Sequence, residues 1–153
     1  MVTASELQTL GLVAGPITSL AFNITSTSDD YAQNGFSIKM GHTSAANLSA
    51  GFDAASLTTT YGPASINTFS TGVQSFTFTT PFIWDGTSNI VVDICHDNDI
   101  SNTCSLCYGS NSTVAATNTG FTSAYGTYSD NVQRCGTAAA STASSAIRPD
   151  MTF

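Results

Sequence analysis

Residues 75–95, SFTFTTPFIWDGTSNIVVDIC, decide the fold. Phe76 and Phe78 alternate with threonines, and Ile90, Val92 and Ile94 alternate in the same way further on. Successive side chains of a strand point to opposite faces, so this period of two marks half-buried antiparallel strands. Asp85-Gly86 between them is a turn dipeptide. The segment ends at Cys95 and runs into the acidic cluster His96-Asp97-Asn98-Asp99.

Outward from this segment the pattern repeats. Residues 17–27 turn Leu20, Phe22 and Ile24 to one face, and residues 35–41 do the same with Phe36, Ile38 and Met40, leaving Ser37 and Lys39 opposite. Asp29-Asp30 separates these two strands. Residues 57–61 read as a Thr-rich edge strand that Gly62-Pro63 ends. Further strands are expected at 65–69, 74–79, 89–95, 112–117, 121–128 and 147–153. Residues 47–55 read as a loop with Leu48 and Phe52 tucked beneath it, and the low-complexity run 138–145 as a mobile loop. At the start, residues 5–11 combine a capping-type Ser5, apolar residues at helical spacing and a closing Gly11, the signature of one short helical turn. The chain therefore reads as one all-β domain spanning 1–153, an antiparallel β-sandwich of jelly-roll type.

Composition narrows the function classes. The 153 residues are 41% hydrophobic, enough to fill a core, but only 8% charged, with Ser, Thr, Asn, Ala and Gly in place of ions. Lys39, Arg134 and Arg148 face ten acidic residues for a net charge of −7, a balance that cannot neutralise a nucleic-acid backbone or an anionic membrane. No apolar run has transmembrane length. The opening MVTASEL lacks the regions of a secretory signal, so Met1 reads as the start of a module cut from a longer chain.

Cys95, Cys104, Cys107 and Cys135 make an even count in an acidic Ser/Thr-rich chain, which reads as two structural disulfides in an oxidising, extracellular compartment. Cys95 with Cys135 plus Cys104 with Cys107, or an interleaved set, both suit the spacing. A zinc site drawing on His96 lacks a second C-x-x-C or paired histidines, and a redox Cys104-x-x-Cys107 lacks a βαβ setting.

The motifs TASEL (3–7), GPITSLAFNI (15–24), FSIKMGHT (36–43), YGP (61–63), TPFIWDGTSN (80–89) and RPDMTF (148–153) resemble a β-rich module of large secreted and cell-surface proteins of Bacteroidota, often near adhesin and gliding-motility type repeats. The resemblance covers nearly the whole chain. It implies cysteines at the Cys95 and Cys135 positions more often than at the Cys104 and Cys107 insertion. It brings no catalytic residues, because its motifs are strand and turn residues.

Three kinds of chemistry are open to these residues. Asp85, Asp93, Asp97 and Asp99 lie in Asp/Asn-rich turns of the kind that supply oxygens to a structural Ca²⁺. The same residues also make turns by bonding their own backbone. Asp97-Asn98-Asp99 lacks the glycine and the closing glutamate of an EF-hand. Catalysis is not expected, since Glu6 stands alone, the Asp pairs are exposed, and His42 and His96 have no nucleophile elbow beside them. Aromatics at turns and strand ends offer stacking faces for sugars: Tyr108, Tyr125 and Tyr128 are the expected ligand-binding residues, while Trp84 is expected in the core. The Asn-x-Ser/Thr patterns at Asn23, Asn47 and Asn111 read as accidents of composition. The function expected is a non-catalytic adhesin or surface-filament module contacting glycans or neighbouring modules. The alternatives are a carbohydrate-binding module of a secreted hydrolase and a self-assembling filament subunit.

Overall fold

The computed structural model describes residues 1–27, 32–52, 56–67, 69–97, 112–127, 135 and 143–153. These form one helix, α1 (Ala4–Thr9), and the strands β1 (Gly15–Ser26), β2 (Gln33–Thr43), β3 (Thr58–Ile66), β4 (Gly72–Trp84), β5 (Asn89–Cys95), β6 (Thr113–Val114), β7 (Ala116–Asn118), β8 (Ala124–Gly126), β9 (Ala143–Ser145) and β10 (Ile147–Pro149). The fold is all-β with antiparallel pairing throughout. Two sheets of order β4-β1-β6 and β3-β2-β5 face each other, and the small pairs β10-β7 and β8-β9 complete the set. These strand orders establish the antiparallel sheets and not the jelly-roll connection.

The alternation in the sequence builds the core directly. Leu20, Phe22 and Ile24 of β1, Phe36, Ile38 and Met40 of β2, and Phe76, Phe78, Phe82 and Trp84 of β4 all point into one cluster. Phe76 stacks on Phe36 across the sheets at 5.1 Å and meets Tyr61 edge-on at 5.3 Å, geometries that aromatic quadrupoles favour. Tyr61 is thus a core-packing ring. Trp84 is 1% exposed and donates its indole N–H to Ser88 O at 2.8 Å, which satisfies the polar end of a buried ring.

Several boundaries differ from the sequence reading: the expected strand 65–69 contributes only the end of β3, and 112–117 divides into β6 and β7. Gly62-Pro63 does not end a strand: β3 runs through it as a bulge, with both residues opposite Ser37 while Tyr61 and Ala64 pair with Ile38 and Phe36. Gly62 has φ +79°, and a Cβ there would run into Phe36 O, so glycine is what lets the strand continue. β4 likewise passes through Pro81. Its partner register jumps from Thr77 opposite Ser19 to Phe82 opposite Ile17, and Pro81 falls inside the irregularity, where no ladder N–H is required. Finally, 143–145 is strand β9 paired with β8, not loop.

Helix α1 is capped two residues earlier than expected. Thr3, not Ser5, is the N-cap: its hydroxyl accepts from Glu6 N, and Glu6 Oε2 accepts from Thr3 N at 2.7 Å, a reciprocal capping box. The same carboxylate binds Arg148, with Nη2 to Oε1 at 3.0 Å and Nη1 to Oε2 at 3.2 Å, and Arg148 Nη1 also donates to Met1 O at 2.6 Å. Burial opposes ionisation of Glu6, but the hydrogen bonds from Arg148 and Thr3 outweigh it and hold the carboxyl below its ordinary range. Val2 exchanges two backbone hydrogen bonds with Ile90, and Met1 N donates to Ser123 O. The first residues therefore run along the free edge of β5.

A layer absent from the sequence reading lies outside the β3-β2-β5 sheet. Met1, Leu48 and Val91 form a second buried cluster, with Ala45, Leu57, Phe121 and Tyr125 packed against it. Strand β2 is consequently covered on both faces, with Ser37, Gly41 and Thr43 buried beside Phe36, Ile38 and Met40. Leu48 is tucked in as expected. Phe52 is not: it stays 38% exposed with its ring edge-on to Tyr125.

The disulfide Cys95–Cys135 joins β5 to residue 135 across a sequence separation of 40. Cys104 and Cys107 lie outside the described residues.

Two outcomes follow from this packing. In the chain-entropy model, closing a loop of that length disfavours the unfolded state by about 4 kcal/mol, so the Cys95→Ser, Cys135→Ser double variant should melt well below wild type in thermal denaturation without reductant. A Cβ on Gly41 would sit 2.6 Å from Ser56 O and 2.9 Å from Leu57 Cδ2. Gly41→Ala should therefore cost on the order of 1–3 kcal/mol in chemical denaturation, as overpacking does; an unchanged midpoint would mean that the outer layer is not packed on β2.

Candidate binding cleft

The outer layer does not cover the whole sheet. Between it and β5 lies a cleft of about 580 Å³, a volume typical of small-molecule sites. Its walls are mainly apolar, including Leu48, Leu57 and Val91, with Phe52 and Tyr125 at the side.

The floor is set by strand register. Lys39 of β2 lies opposite Thr59 of β3 on one side and opposite Asp93 of β5 on the other. Residues directly opposite in an antiparallel pair share a face, so Thr59, Lys39 and Asp93 form one polar row across three strands. All three line the cleft. Neighbouring strands are about 4.8 Å apart, which spaces the three groups at roughly that interval.

The electrostatics of the row are unusual for so uncharged a chain. Arg148 pairs with Glu6, and Lys39 and Asp93 do not close to pairing distance with each other or with any other charged group among the described residues. Burial pushes the Asp93 carboxyl above its ordinary value, and the positive charge of Lys39 opposes this only in part. Two of the three basic residues of the chain, Lys39 and Arg148, border this cleft, Arg148 already being committed to Glu6 and Met1.

Tyr125 stands on β8 with its ring 4.7 Å from that of Phe52. Gly51, at φ +114°, brings its own backbone up to the Tyr125 hydroxyl; a Cβ there would lie 3.2 Å from Oη.

Of the ligand-binding and metal-binding residues expected from the sequence, the structure brings one of each together: Tyr125 and Asp93 border the same cleft. Tyr108, Tyr128, Asp99, Cys104 and Cys107 lie outside the described residues. Asp85 sits elsewhere, in the β4–β5 turn. Its Oδ1 accepts from Thr87 N at 2.8 Å and Ser88 N at 2.7 Å and its Oδ2 from the Ser88 hydroxyl at 2.6 Å, bonds that hold the carboxyl far below the usual range. Turn chemistry is thus present at Asp85. Asp97 follows β5, its N–H bonded to Asn34 O, with Oδ2 enclosed and unpartnered. Among the described residues no three of His, Cys, Asp and Glu gather where a metal ion could be held.

Sequence reasoning missed Lys39 and Thr59, which read as ordinary outward residues of two strands. The rarity of basic residues was the available signal, since one of only three cations placed mid-strand is conspicuous. Register, which puts Asp93 and Thr59 beside it, was not readable.

Comparison with known proteins finds no matching family model, curated protein or solved structure. Among the described residues no helix is long and apolar enough to cross a membrane.

Asp93 supplies a test of the cleft's electrostatics. Its folded-state pKa is raised, so the ionised form opposes folding at neutral pH, and this opposition fades as pH falls through the raised value toward the unfolded one, about 4. Asp93→Asn should therefore raise Tm at pH 7 and converge with wild type in acid. Equal melting temperatures at both pH values would show a carboxylate fully solvated or paired.

Proposed function

We propose that the chain is a non-catalytic extracellular binding module of an adhesin or surface filament, and that the cleft beside β5 takes a glycan. The observation that carries this reading is Asp93: a half-buried carboxylate without an ion-pair partner among the described residues, in an apolar-walled cleft with an ammonium and two aromatic rings. A sugar suits that combination, since its hydroxyls bond to carboxylate and ammonium while its C–H face lies on aromatic and apolar walls. Binding is favoured over hydrolysis because glycoside cleavage uses two carboxyls across one bond, and Asp93 is the one carboxylate among the described lining residues. The Cys95–Cys135 bridge supports the extracellular placement, as disulfides persist in oxidising compartments. A resemblance to modules of cell-surface proteins supports the adhesin setting.

The test is a glycan array read at low and moderate salt with wild type and Tyr125→Ala. With so few ions to screen, binding should change little with ionic strength. Tyr125→Ala should weaken it by roughly tenfold, the loss of a stacking ring. Absence of any glycan ligand, or binding that collapses in moderate salt, would remove the proposal.

A further inference from the structure

Resting on the glycan-binding reading, the geometry of the floor narrows the class of sugar. Thr59, Lys39 and Asp93 are a hydroxyl, a cation and an anion in a line, one per strand of the β3-β2-β5 sheet. Each offers something different. A carboxylate only accepts hydrogen bonds, an ammonium only donates them, and a threonine hydroxyl does both. A ligand that meets Asp93 and Lys39 together must therefore donate from one atom and accept at the next. Two adjacent hydroxyls of a sugar ring do this, because every hydroxyl is at once a donor and an acceptor.

Alternatives fit the row less well. A phosphate or a carboxylated sugar would satisfy Lys39 but set like charge against Asp93, in a chain whose net charge is already −7. A purely cationic group would satisfy Asp93 and be repelled by Lys39. A purely apolar group would leave both charges desolvated and unbonded, which is the costliest outcome. Direct coordination by a metal-bridged sugar needs several oxygen ligands at one point, and Asp93 has no second acidic, histidine or cysteine pair gathered with it among the described residues.

We propose that the Thr59–Lys39–Asp93 row is a subsite for a neutral pyranose presenting two adjacent free hydroxyls, one donating to Asp93 and its neighbour accepting from Lys39. Thr59 takes the next oxygen along, and the ring's C–H face lies toward Leu57 and Tyr125. Charged hydrogen bonds are the stronger kind, so the two charged residues set selectivity while the rings contribute area.

The experiment titrates ¹⁵N-labelled protein with a panel of neutral methyl pyranosides, their single-deoxy analogues and matched uronic acids, all in EDTA. Neutral sugars should shift the amide signals of Lys39, Thr59 and Asp93. Removing either hydroxyl of the bound pair, or introducing Asp93→Asn or Lys39→Met, should weaken binding by roughly tenfold or more. Thermal melts of both variants establish that they remain folded. If sugars bind but shift other amides, if both variants bind like wild type, if uronic acids bind more tightly than their neutral counterparts, or if EDTA abolishes binding, this subsite assignment is overturned while the binding-module reading stands. If no member of the panel and no glycan on the array binds, both are overturned.

Discussion

Strand β2 is buried on both faces, and the outer layer and the cleft beside it are arranged around that fact. A strand of an antiparallel sandwich commonly packs one face on the core and leaves the other to water. Here Phe36, Ile38 and Met40 enter the core, while on the other face Ser37, Gly41 and Thr43 are also buried, Gly41 against Ser56 and Leu57 of the outer layer. Small side chains on that outer face allow the close approach, Gly41 most of all, since the 56–57 backbone and side chain occupy the space of its missing Cβ. Lys39 lies on the same face and remains partly exposed. The cleft exists because the layer stops short of it.

Much of this was legible in residues 15–43 and 75–95, where alternation is strong and assigns each apolar residue to one face. The core positions of β1, β2 and β4 and the burial of Trp84 followed from period and size alone. What was not legible depends on contacts distant in sequence. The covering of β2 arises from segments at 44–52, 56–57 and 121–126 whose large apolar residues are few and follow no period, so none announces a layer by itself. β9 lies in an Ala/Ser run whose small residues have no periodic signal, and only its partner β8 makes it a strand. Gly62-Pro63 has the composition of a terminator, yet a bulge opposite Ser37 absorbs it. The N-cap was readable in principle, since Thr3-x-x-Glu6 is a capping box, but Ser5 competes for the same role in local sequence.

For the site, the residue types were visible and their assembly was not. Asp93 and Tyr125 stood out by chemistry, but one pointed to a metal and the other to a sugar, and nothing in the sequence joined them. Strand register joins Asp93 to Lys39 and Thr59, and the β8-β9 pair brings Tyr125 to the rim. In a chain that is 8% charged, a cation and an anion thus stand side by side in one cleft. The placement carries an electrostatic cost, since burial raises the Asp93 pKa and Lys39 offsets this only in part.

The contact between Glu6 and Arg148 spans 142 positions of sequence, and that from Met1 N to Ser123 O spans 122. Contacts this remote yield nothing until the intervening chain has been ordered, because the entropy of closing the loop comes first. The capping box of α1 can form locally, but the edge of β5 and the outer layer cannot be sealed until residues near the far end arrive. The seal on this edge is thus a property of the whole chain, since its first residues are held by groups 122 and 142 positions away.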